Sequence, residues 1–425
     1  MKTSKTLIVA LAIILNLVVN SCKKESNNST NLPPTGTLNI YVKDIAGNAL
    51  ADANIVVINS DKNEAVACIK TNINGLVSIV KENNMNYSFE ISKQGFEQAN
   101  TLVVGLEVGK TIDKVYNIVP LTNNNNLGWI EGVTSGSGVS LIIAVVNGVA
   151  FTTTSNADGQ FYLYNVSAGN AEITAVKKGF FGTANCMVVA AQKVAVMFNL
   201  NASSKTVNGQ ISAQAGGSII TTSSISLIHP VAKKTIPGLS QLMSIGAGSY
   251  TFTGVPDIEL FVRASFENDL NTVSANYISK NGEPKVLVGS NTWVPIVITE
   301  AISILSPIRT PDDLNNVEAV EVNTLTPTFK WNKSQNESEY IFELQDANGK
   351  IIVGGMEANP TATTTAAVQF GSIFEWVYGA AHSGTATSFP VLENGKTYKF
   401  KIYGKVKGLY ETQSEEQRGL FKIKL

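Results

Sequence analysis

Two sequence elements recur in the same order and at the same spacing in the first half of the chain. The stretch TNINGLV at residues 71–77 is followed by KQGF at residues 93–96, and TSNADGQF at residues 154–161 is followed by KKGF at residues 177–180. In both copies, 20 residues separate the glycine of the first element from the glycine of the second. A fixed internal period of this kind indicates a repeated structural unit.

The first element predicts a tight turn, because Asn-Gly and Asp-Gly readily adopt positive φ angles, and we predict a β-hairpin at each copy. The segments beside the turns alternate as β-strands do. In residues 161–166, one face carries Phe161, Leu163 and Asn165, and the other carries Tyr162, Tyr164 and Val166. The repeated unit is therefore predicted to be a small β-sandwich with polar turns.

The order of these elements resembles a known domain family. A strand, the turn DIAGN at residues 44–48, a second strand, the turn glycine, an aromatic strand and the K-x-G-F corner resemble the carboxypeptidase regulatory-like domain, a transthyretin-like β-sandwich related to repeat units of Gram-positive pilins and adhesins. Residues 37–121 and 127–201 carry this pattern. Residues 205–300 are interpreted as a third, diverged copy. Its segment GSYTFTGVP at residues 248–256 is similar in pattern to residues 159–167 of the second copy, and Asn268-Asp269 stands in place of the K-x-G-F corner.

The segment from 303 to 425 has a different pattern. A strand ends on Trp331, and LENGKTY at residues 392–398 resembles the tyrosine corner of Greek-key sandwiches. The segment resembles a fibronectin type III domain, which implies that Trp331 is a core residue and that Tyr398 hydrogen-bonds back to its corner. The predicted fold class is therefore all-β, with tandem Ig-like or transthyretin-like β-sandwiches.

The N-terminus predicts export and attachment to a lipid. Lys2 and Lys5 precede an apolar run at residues 7–15, which is typical of a signal peptide and too short to span a bilayer. VVNSC at residues 18–22 resembles a bacterial lipobox, which implies that residues 1–21 are removed and that Cys22 is lipidated. Residues 22–36 are polar and predict a flexible tether. The predicted location is the outer membrane, on its periplasmic face or at the cell surface.

Composition excludes some classes of partner. The 32 basic and 33 acidic residues are interspersed and give a formal net charge of −1, so there is no basic surface for nucleic acid. Cys68 and Cys186 fall in different predicted domains, and we interpret each as a small buried side chain.

The sequence predicts no catalytic residue, no metal site and no cofactor. The two histidines, His229 and His382, have no His-x-x-Glu motif around them, and neither a G-x-S-x-G elbow nor a P-loop occurs. Three groups that could mimic a site are interpreted as solvated charges or a turn: Asp312-Asp313, Glu415-Glu416 and DANG at residues 346–349. We therefore predict that the protein is not an enzyme.

Two aromatic groups are candidates for ligand binding. Phe374, Trp376 and Tyr378 alternate, so on a strand they would face one side and could stack on sugar rings. The alternative is that this face is the core of the sandwich or packs on the preceding domain. Tyr162 and Tyr164 are a second, weaker candidate pair.

The sequence supports several functions. The first hypothesis is a non-enzymatic, lipid-anchored envelope protein whose sandwiches form a rod and serve adhesion, glycan capture or assembly with an outer-membrane protein. The alternatives are an accessory or catalytic subunit of a polysaccharide- or peptide-degrading complex, and a purely structural spacer.

Overall fold

The protein is all-β, and the residues that the structure describes form eight sheets, which pack into four β-sandwiches. The structure is a computed structural model, and it describes residues 35–81, 84–101, 103–213, 223–243, 248–266, 271–273, 285–287, 291–308, 319–333, 336–346, 351–355, 368–381, 389–414 and 418–425. Within these residues, no helix is long and apolar enough to cross a membrane.

The first two sandwiches have the same arrangement of strands. In the first, the three-stranded sheet β4-β1-β8 faces a sheet in which β3, β2, β5 and β6 lie side by side and β7 also pairs with β5. In the second, β12-β9-β15 faces β11-β10-β13-β14-β16. The strands of the first sandwich are β1 Gly36–Asp44, β2 Asn54–Asn59, β3 Glu64–Lys70, β4 Leu76–Lys81, β5 Met85–Ser92, β6 Ala99–Asn100, β7 Val104–Leu106 and β8 Thr111–Ile118. Those of the second are β9 Leu127–Thr134, β10 Leu141–Val146, β11 Val149–Thr154, β12 Gln160–Ser167, β13 Gly169–Lys177, β14 Phe180–Val188, β15 Lys193–Phe198 and β16 Asn201–Ala202.

The third sandwich repeats this topology, and the fourth does not. In the third, β20-β17-β25-β22 faces β19-β18-β21-β23, with β24 also paired to β17. Its strands are β17 Lys205–Ala213, β18 Ser223–Ile228, β19 Thr235–Met243, β20 Ser249–Val255, β21 Glu259–Phe266, β22 Asn271–Val273, β23 Lys285–Leu287, β24 Asn291–Trp293 and β25 Ile296–Glu300. The strands of the fourth are β26 Ile304–Ser306, β27 Val320–Val322, β28 Thr328–Trp331, β29 Glu339–Asp346, β30 Ile351–Gly354, β31 Val368–Phe370, β32 Glu375–Val377, β33 Thr397–Val406, β34 Leu409–Gln413 and β35 Leu420–Ile423.

One hydrogen bond marks the repeat in all three copies. The carbonyl of the turn glycine accepts the amide of the opening strand, from Val42 to Gly75 at 2.8 Å and from Thr134 to Gly159 at 2.9 Å. In the third sandwich the amide of Ile211 donates to Gly248 at 2.9 Å. The same backbone hydrogen bond therefore occurs at the corresponding place in all three sandwiches, including at residue 248 of the third.

The predicted hairpin at the turn glycine is wrong, although the predicted turn is correct. Gly75 and Gly159 have φ angles of +69° and +83°, as Asn-Gly and Asp-Gly turns require. However, β3 and β4 lie in opposite sheets, as do β11 and β12. The turn is an arch that connects the two sheets. Before the turn, the amide of Thr71 donates to the carbonyl of Ala53, next to β2 of one sheet; at the turn, the carbonyl of Gly75 accepts the amide of Val42 in β1 of the other sheet.

A β-bulge in β12 changes the predicted facing of its last residues. The register against β9 shifts between Leu163 and Val166. Phe161, Leu163 and Val166 are all buried in the core, so Val166 shares the face on which simple alternation placed Asn165. The bulge frees Asn165, whose φ is +56°, to point away from its own sandwich.

The apolar run LIIAVV of β10 is explained by burial on both faces. Ile142, Ala144 and Val146 belong to the core of the second sandwich. Leu141 and Ile143 instead pack into the cluster formed by the third sandwich. A strand buried on both faces is expected to be continuously apolar rather than alternating.

The fourth sandwich contains the two core features predicted for it. Trp331 is fully buried among aromatic side chains. The hydroxyl of Tyr398 accepts the amide of Glu393 at 3.0 Å, which is the predicted tyrosine corner. Trp331 and Tyr398 both belong to the aromatic core of this sandwich.

Candidate binding and docking surfaces

The aromatic run at residues 370–378 is mainly core. Trp376 and Tyr378 are each 4% exposed, and both pack on Phe329. The indole Nε1 of Trp376 donates to the carbonyl of Ala380 at 3.1 Å. The hydroxyl of Tyr378 donates to the carbonyl of Pro390 at 2.7 Å. Their rings therefore have no free face for a ligand, and sugar stacking on these two residues is corrected to a role in the core.

Phe374 differs from the other two residues of this run. It precedes β32 rather than lying within the strand, and it is 37% exposed. One edge of its ring packs on Tyr340, with the ring centroids 5.5 Å apart. Phe374 is thus a rim residue of the aromatic core, and the predicted common face of three aromatic rings is not formed.

The tyrosine pair lies at the junction of the first and second sandwiches. Tyr162 and Tyr164 stack on each other with centroids 6.5 Å apart. The ammonium of Lys70 lies 3.4 Å from the centroid of the Tyr162 ring, and the Tyr164 hydroxyl donates to the carbonyl of Asp52 at 3.4 Å. Burial raises the pKa of Tyr164, so the hydroxyl stays protonated and keeps its hydrogen bond. These tyrosines pack on another part of the same chain.

Asn165 also bonds across this junction, with both polar atoms of its side chain. Its Oδ1 accepts the amide of Gly95 at 2.8 Å, and its Nδ2 donates to the carbonyls of Lys93 at 3.1 Å and Phe96 at 2.7 Å. Its own amide donates to Oε1 of Gln94 at 2.9 Å. The K-x-G-F corner of the first sandwich is therefore capped by one residue of the second.

The junction of the second and third sandwiches uses the equivalent positions. Gly179 lies in the K-x-G-F corner of the second sandwich, and its amide donates to the carbonyl of Gly254 at 2.5 Å. The amide of Lys178 donates to the carbonyl of Pro237 at 2.8 Å. Gly254 and Asn165 each lie six residues after the turn glycine, sit at a bulge and have positive φ. The corner of one sandwich thus docks on the bulge of the next sandwich at both junctions.

The first and third sandwiches also touch, through charged side chains. Glu64 accepts the amide of Gly238 at 2.5 Å with one oxygen, and the hydroxyl of Ser240 with the other. The ammonium of Lys234 lies 2.5 Å from a carboxylate oxygen of Glu90. The first and third sandwiches therefore contact each other as well as the second, which does not agree with the predicted rod.

We expect a measurable coupling between Glu90 and Lys234. Both side chains are mostly buried, so the changes Glu90→Gln and Lys234→Met should show a coupling of about 1 kcal/mol in a double-mutant cycle of unfolding free energy. The exposed pair Lys330–Glu375 is the control, and it should couple by less than about 0.5 kcal/mol. Additive effects of Glu90→Gln and Lys234→Met would show that the contact between the first and third sandwiches contributes nothing.

The titratable groups of the described residues do not assemble into a metal site. No three His, Cys, Asp or Glu side chains in this part of the chain lie together at ligand distances. Cys68 is buried at the first junction, bonded to the amide oxygen of Asn54, and burial raises the pKa of its thiol to about 12. In the fourth sandwich, burial raises the pKa of Glu343, which accepts a hydrogen bond from Gln345 at 2.6 Å.

His229 stabilises a turn as a neutral ring. Its Nδ1 accepts the amides of Val231 and Ala232, both at 3.3 Å. Burial, and then the charge of Lys233, lower its pKa from 6.5 to about 4. Because protonation of Nδ1 removes the acceptor, stability that is present above pH 6.5 should be lost as the pH falls towards 4.

This predicts a pH dependence that a substitution removes. Between pH 6.5 and 4, the unfolding free energy of the wild type should fall more steeply than that of His229→Asn, whose amide oxygen keeps the acceptor without titrating. The measurement is chemical denaturation at a series of pH values. Parallel curves for the two proteins would contradict a neutral His229 in the folded state.

Several residues considered in the sequence lie outside the described residues. They are Cys22 with the signal peptide and most of the tether, Asn268-Asp269, Asp312-Asp313, Asn348-Gly349, His382 and Glu415-Glu416.

Sequence reasoning missed two residues that the structure singles out. Alternation placed Asn165 on the same face as Phe161 and Leu163, and it did not predict that Asn165 contacts the neighbouring sandwich. Trp293 is 60% exposed on the outer face of the third sandwich, in register with Asn208, which is itself in register with Thr251. No alternation marked Trp293, because β24 is only three residues long.

The fold and junctions define a multidomain β-sandwich protein in which docked copies of one unit precede a different, aromatic-rich unit. No family model matches the chain, and no curated protein matches it.

Solved structures with similarity to the chain include one protein of Bacillus anthracis and two pilins. The Bacillus anthracis TIE protein is 11% identical with a TM-score of 0.19, over 63% of this chain and 51% of that one. The shaft pilin SpaA from Lactobacillus rhamnosus GG is 12% identical with a TM-score of 0.19, over 40% and 98%. BcpA, the major pilin subunit of Bacillus cereus, is 10% identical with a TM-score of 0.18, over 63% and 100%. The chain matches about half the length of the first of these proteins, and similarity at this level does not imply a shared function.

Proposed function

We propose that this protein is a non-enzymatic, lipid-anchored component of the bacterial envelope that holds a binding surface away from the membrane. The observation that carries the proposal is the repeated docking of corner on bulge, which joins three sandwiches into one body. A body of this kind suits support and display, because Leu141, Ile143 and Val176 of the second sandwich are buried in the core cluster of the third, and a hydrophobic interface limits relative movement of the domains. The leader, Cys22 and the polar tether supply the expected anchor.

The display surface that we assign is the outer face of the third sandwich around Trp293. An exposed indole presents a flat apolar face that can stack on the C–H surface of a sugar ring. Asn208 and Thr251 lie in the same row of the sheet and offer an amide and a hydroxyl that can bond to sugar hydroxyls. The proposed ligand class is therefore a glycan, which replaces the earlier prediction for Trp376 and Tyr378.

Anchoring is tested by labelling the full chain with an alkyne-bearing fatty acid in a Gram-negative host. We expect label on the wild type and on the control Cys68→Ala, and none on Cys22→Ala. Label that persists on Cys22→Ala, or its absence from the wild type, would overturn lipid attachment at this residue. Protease treatment of whole cells then distinguishes the cell surface from the periplasmic face.

Display is tested by a glycan and matrix-protein array with the same purified chain in detergent. We expect binding to a glycan that is lost in Trp293→Ala with unchanged melting, while the control Phe374→Ala still binds. Binding that Trp293→Ala leaves unaltered would move the site elsewhere, and no binding at all would leave only a spacer role. Hydrolysis of a bound glycan by the purified chain would support the alternative of a degrading enzyme.

A further inference from the structure

Edge strand β15 of the second sandwich differs from the equivalent strands of the other two copies. In each of the three repeated sandwiches, the first strand pairs in parallel with a strand near the end of the same sandwich. The pairs are β1 with β8, β9 with β15, and β17 with β25. In the third sandwich, a further strand covers this position, since β22 pairs antiparallel with β25 through Thr272 and Thr299. In the part of the chain that the structure describes, nothing pairs with the outer edges of β8 and β15.

The outward backbone groups of β15 can be identified from its pairing. The carbonyls of Gln192 and Phe198 accept amides from the β9 side. Because alternate residues of a strand direct their N–H and C=O groups to opposite edges, Lys193, Ala195 and Met197 direct theirs away from β9. An added antiparallel strand could exchange pairs of hydrogen bonds with these three residues.

After Lys193, the side chains of β15 do not protect the edge. Natural edge strands carry charges or proline that discourage pairing, and β8 carries Asp113 and Lys114. The stretch VAVMF at residues 194–198 has no charge, and Met197 is 84% exposed beside the exposed Val133, with which it is in register. Lys193, at the start of β15, is the charged residue of the strand, and its ammonium lies 3.5 Å from the carboxylate of Glu131 on the neighbouring strand β9. Of the three equivalent strands, β15 is the one that pairs with no further strand in the described residues and whose last five residues carry no charge.

We propose that the edge of β15 is a docking site for an extended segment of a partner protein, which adds to the sheet as an antiparallel strand in the way β22 adds to β25. This goes beyond the proposed glycan display and does not depend on it. The chemistry of the partner follows from the side chains beside the edge, since residues directly opposite share a face. The segment carries an apolar residue opposite Met197, a β-branched residue opposite Ala195 and an acidic residue opposite Lys193, two residues apart in that order.

The test uses the full chain in detergent and the peptide acetyl-Thr-Val-Thr-Val-Thr-Glu-Thr-amide, with binding measured by calorimetry. We expect binding that weakens at least tenfold when the peptide glutamate is replaced by lysine. Methylation of the backbone nitrogen of the central valine, whose N–H would bond to Ala195, should abolish binding. A peptide of residues 23–36 should not compete, and competition by it would assign the edge to the chain's own tether instead of a partner.

Variants of the protein provide the second part of the test. Met197→Lys places a charge beside the edge and should weaken binding at least tenfold. Ala195→Pro removes an outward N–H without touching the bonds to β9 and should abolish binding with little change in melting temperature. The matched control Val115→Pro, at an outward position of β8, should bind as the wild type does. Absence of binding to the wild type, or equal binding by all of these variants, would overturn the proposal.

Discussion

Replacing Trp376 with alanine is expected to lower the unfolding free energy of the fourth sandwich by about 3–5 kcal/mol. The ring is 4% exposed and contacts Phe329, Phe342 and Phe370, so its removal leaves a large cavity in the aromatic core. Differential scanning calorimetry should show a lower transition temperature for this sandwich, with the transitions of the others unchanged.

Phe374→Ala is the matched control for this prediction. Phe374 belongs to the same aromatic run but lies at the rim of the core, and its contact with Tyr340 is worth about 1 kcal/mol. The smaller loss expected for Phe374→Ala separates burial from aromatic character. An unaltered transition in Trp376→Ala, together with loss of a ligand, would restore the ligand-binding interpretation of this run.

Gly159→Ala should destabilise the second sandwich by about 2–5 kcal/mol. An alanine at φ +83° costs about 1–2 kcal/mol. Its Cβ would lie 2.4 Å from the carbonyl oxygen of Thr134, and the displacement of that backbone adds about 1–3 kcal/mol.

Gly179→Ala is the control for the close approach at Gly159. Gly179 has a similar φ of +79°, but a Cβ at this position would meet no atom within 4 Å, so only the conformational cost of about 1–2 kcal/mol applies. Thermal or denaturant unfolding of both variants measures the difference. Equal losses of unfolding free energy in the two variants would show that Gly159 does not lie close to the Thr134 carbonyl of β9.

The sequence predicted the features that depend on local chemistry. The positive φ of Gly75 and Gly159 follows from Asn-Gly and Asp-Gly turns, and the buried Trp331 and the corner bond of Tyr398 follow from their strand and turn context. These features need only neighbouring residues, which is why the fold class and the repeat could be predicted.

Pairing between distant segments could not be predicted in the same way. An Asn-Gly turn is compatible with a hairpin and with an arch, and the choice depends on whether its glycine bonds to β1 or to a flanking strand. The bulge at Asn165 is likewise invisible to alternation, because one extra residue exchanges the two faces of a strand. The aromatic candidates were misplaced since a large apolar ring suits a core and a binding surface equally well.

The two junctions show how a repeated sequence can direct assembly within one chain. The K-x-G-F corner has its backbone groups capped by the next copy, through the side chain of Asn165 in one case and the carbonyl of Gly254 in the other. A polar side chain and a glycine thus satisfy the same amide position, and the geometry of the bulge is what the two junctions share.

Hydrogen exchange at the amide of Gly95 tests this docking most directly. The amide donates to Oδ1 of Asn165 in the second sandwich, so it should be protected in the wild type and exchange at least tenfold faster in Asn165→Ala. The control Asn156→Ala removes a turn side chain whose hydrogen bonds lie within the second sandwich, to Asp158 and Gln160, and should leave Gly95 protected. Equal exchange of Gly95 in the wild type and in Asn165→Ala would contradict the docking of corner on bulge.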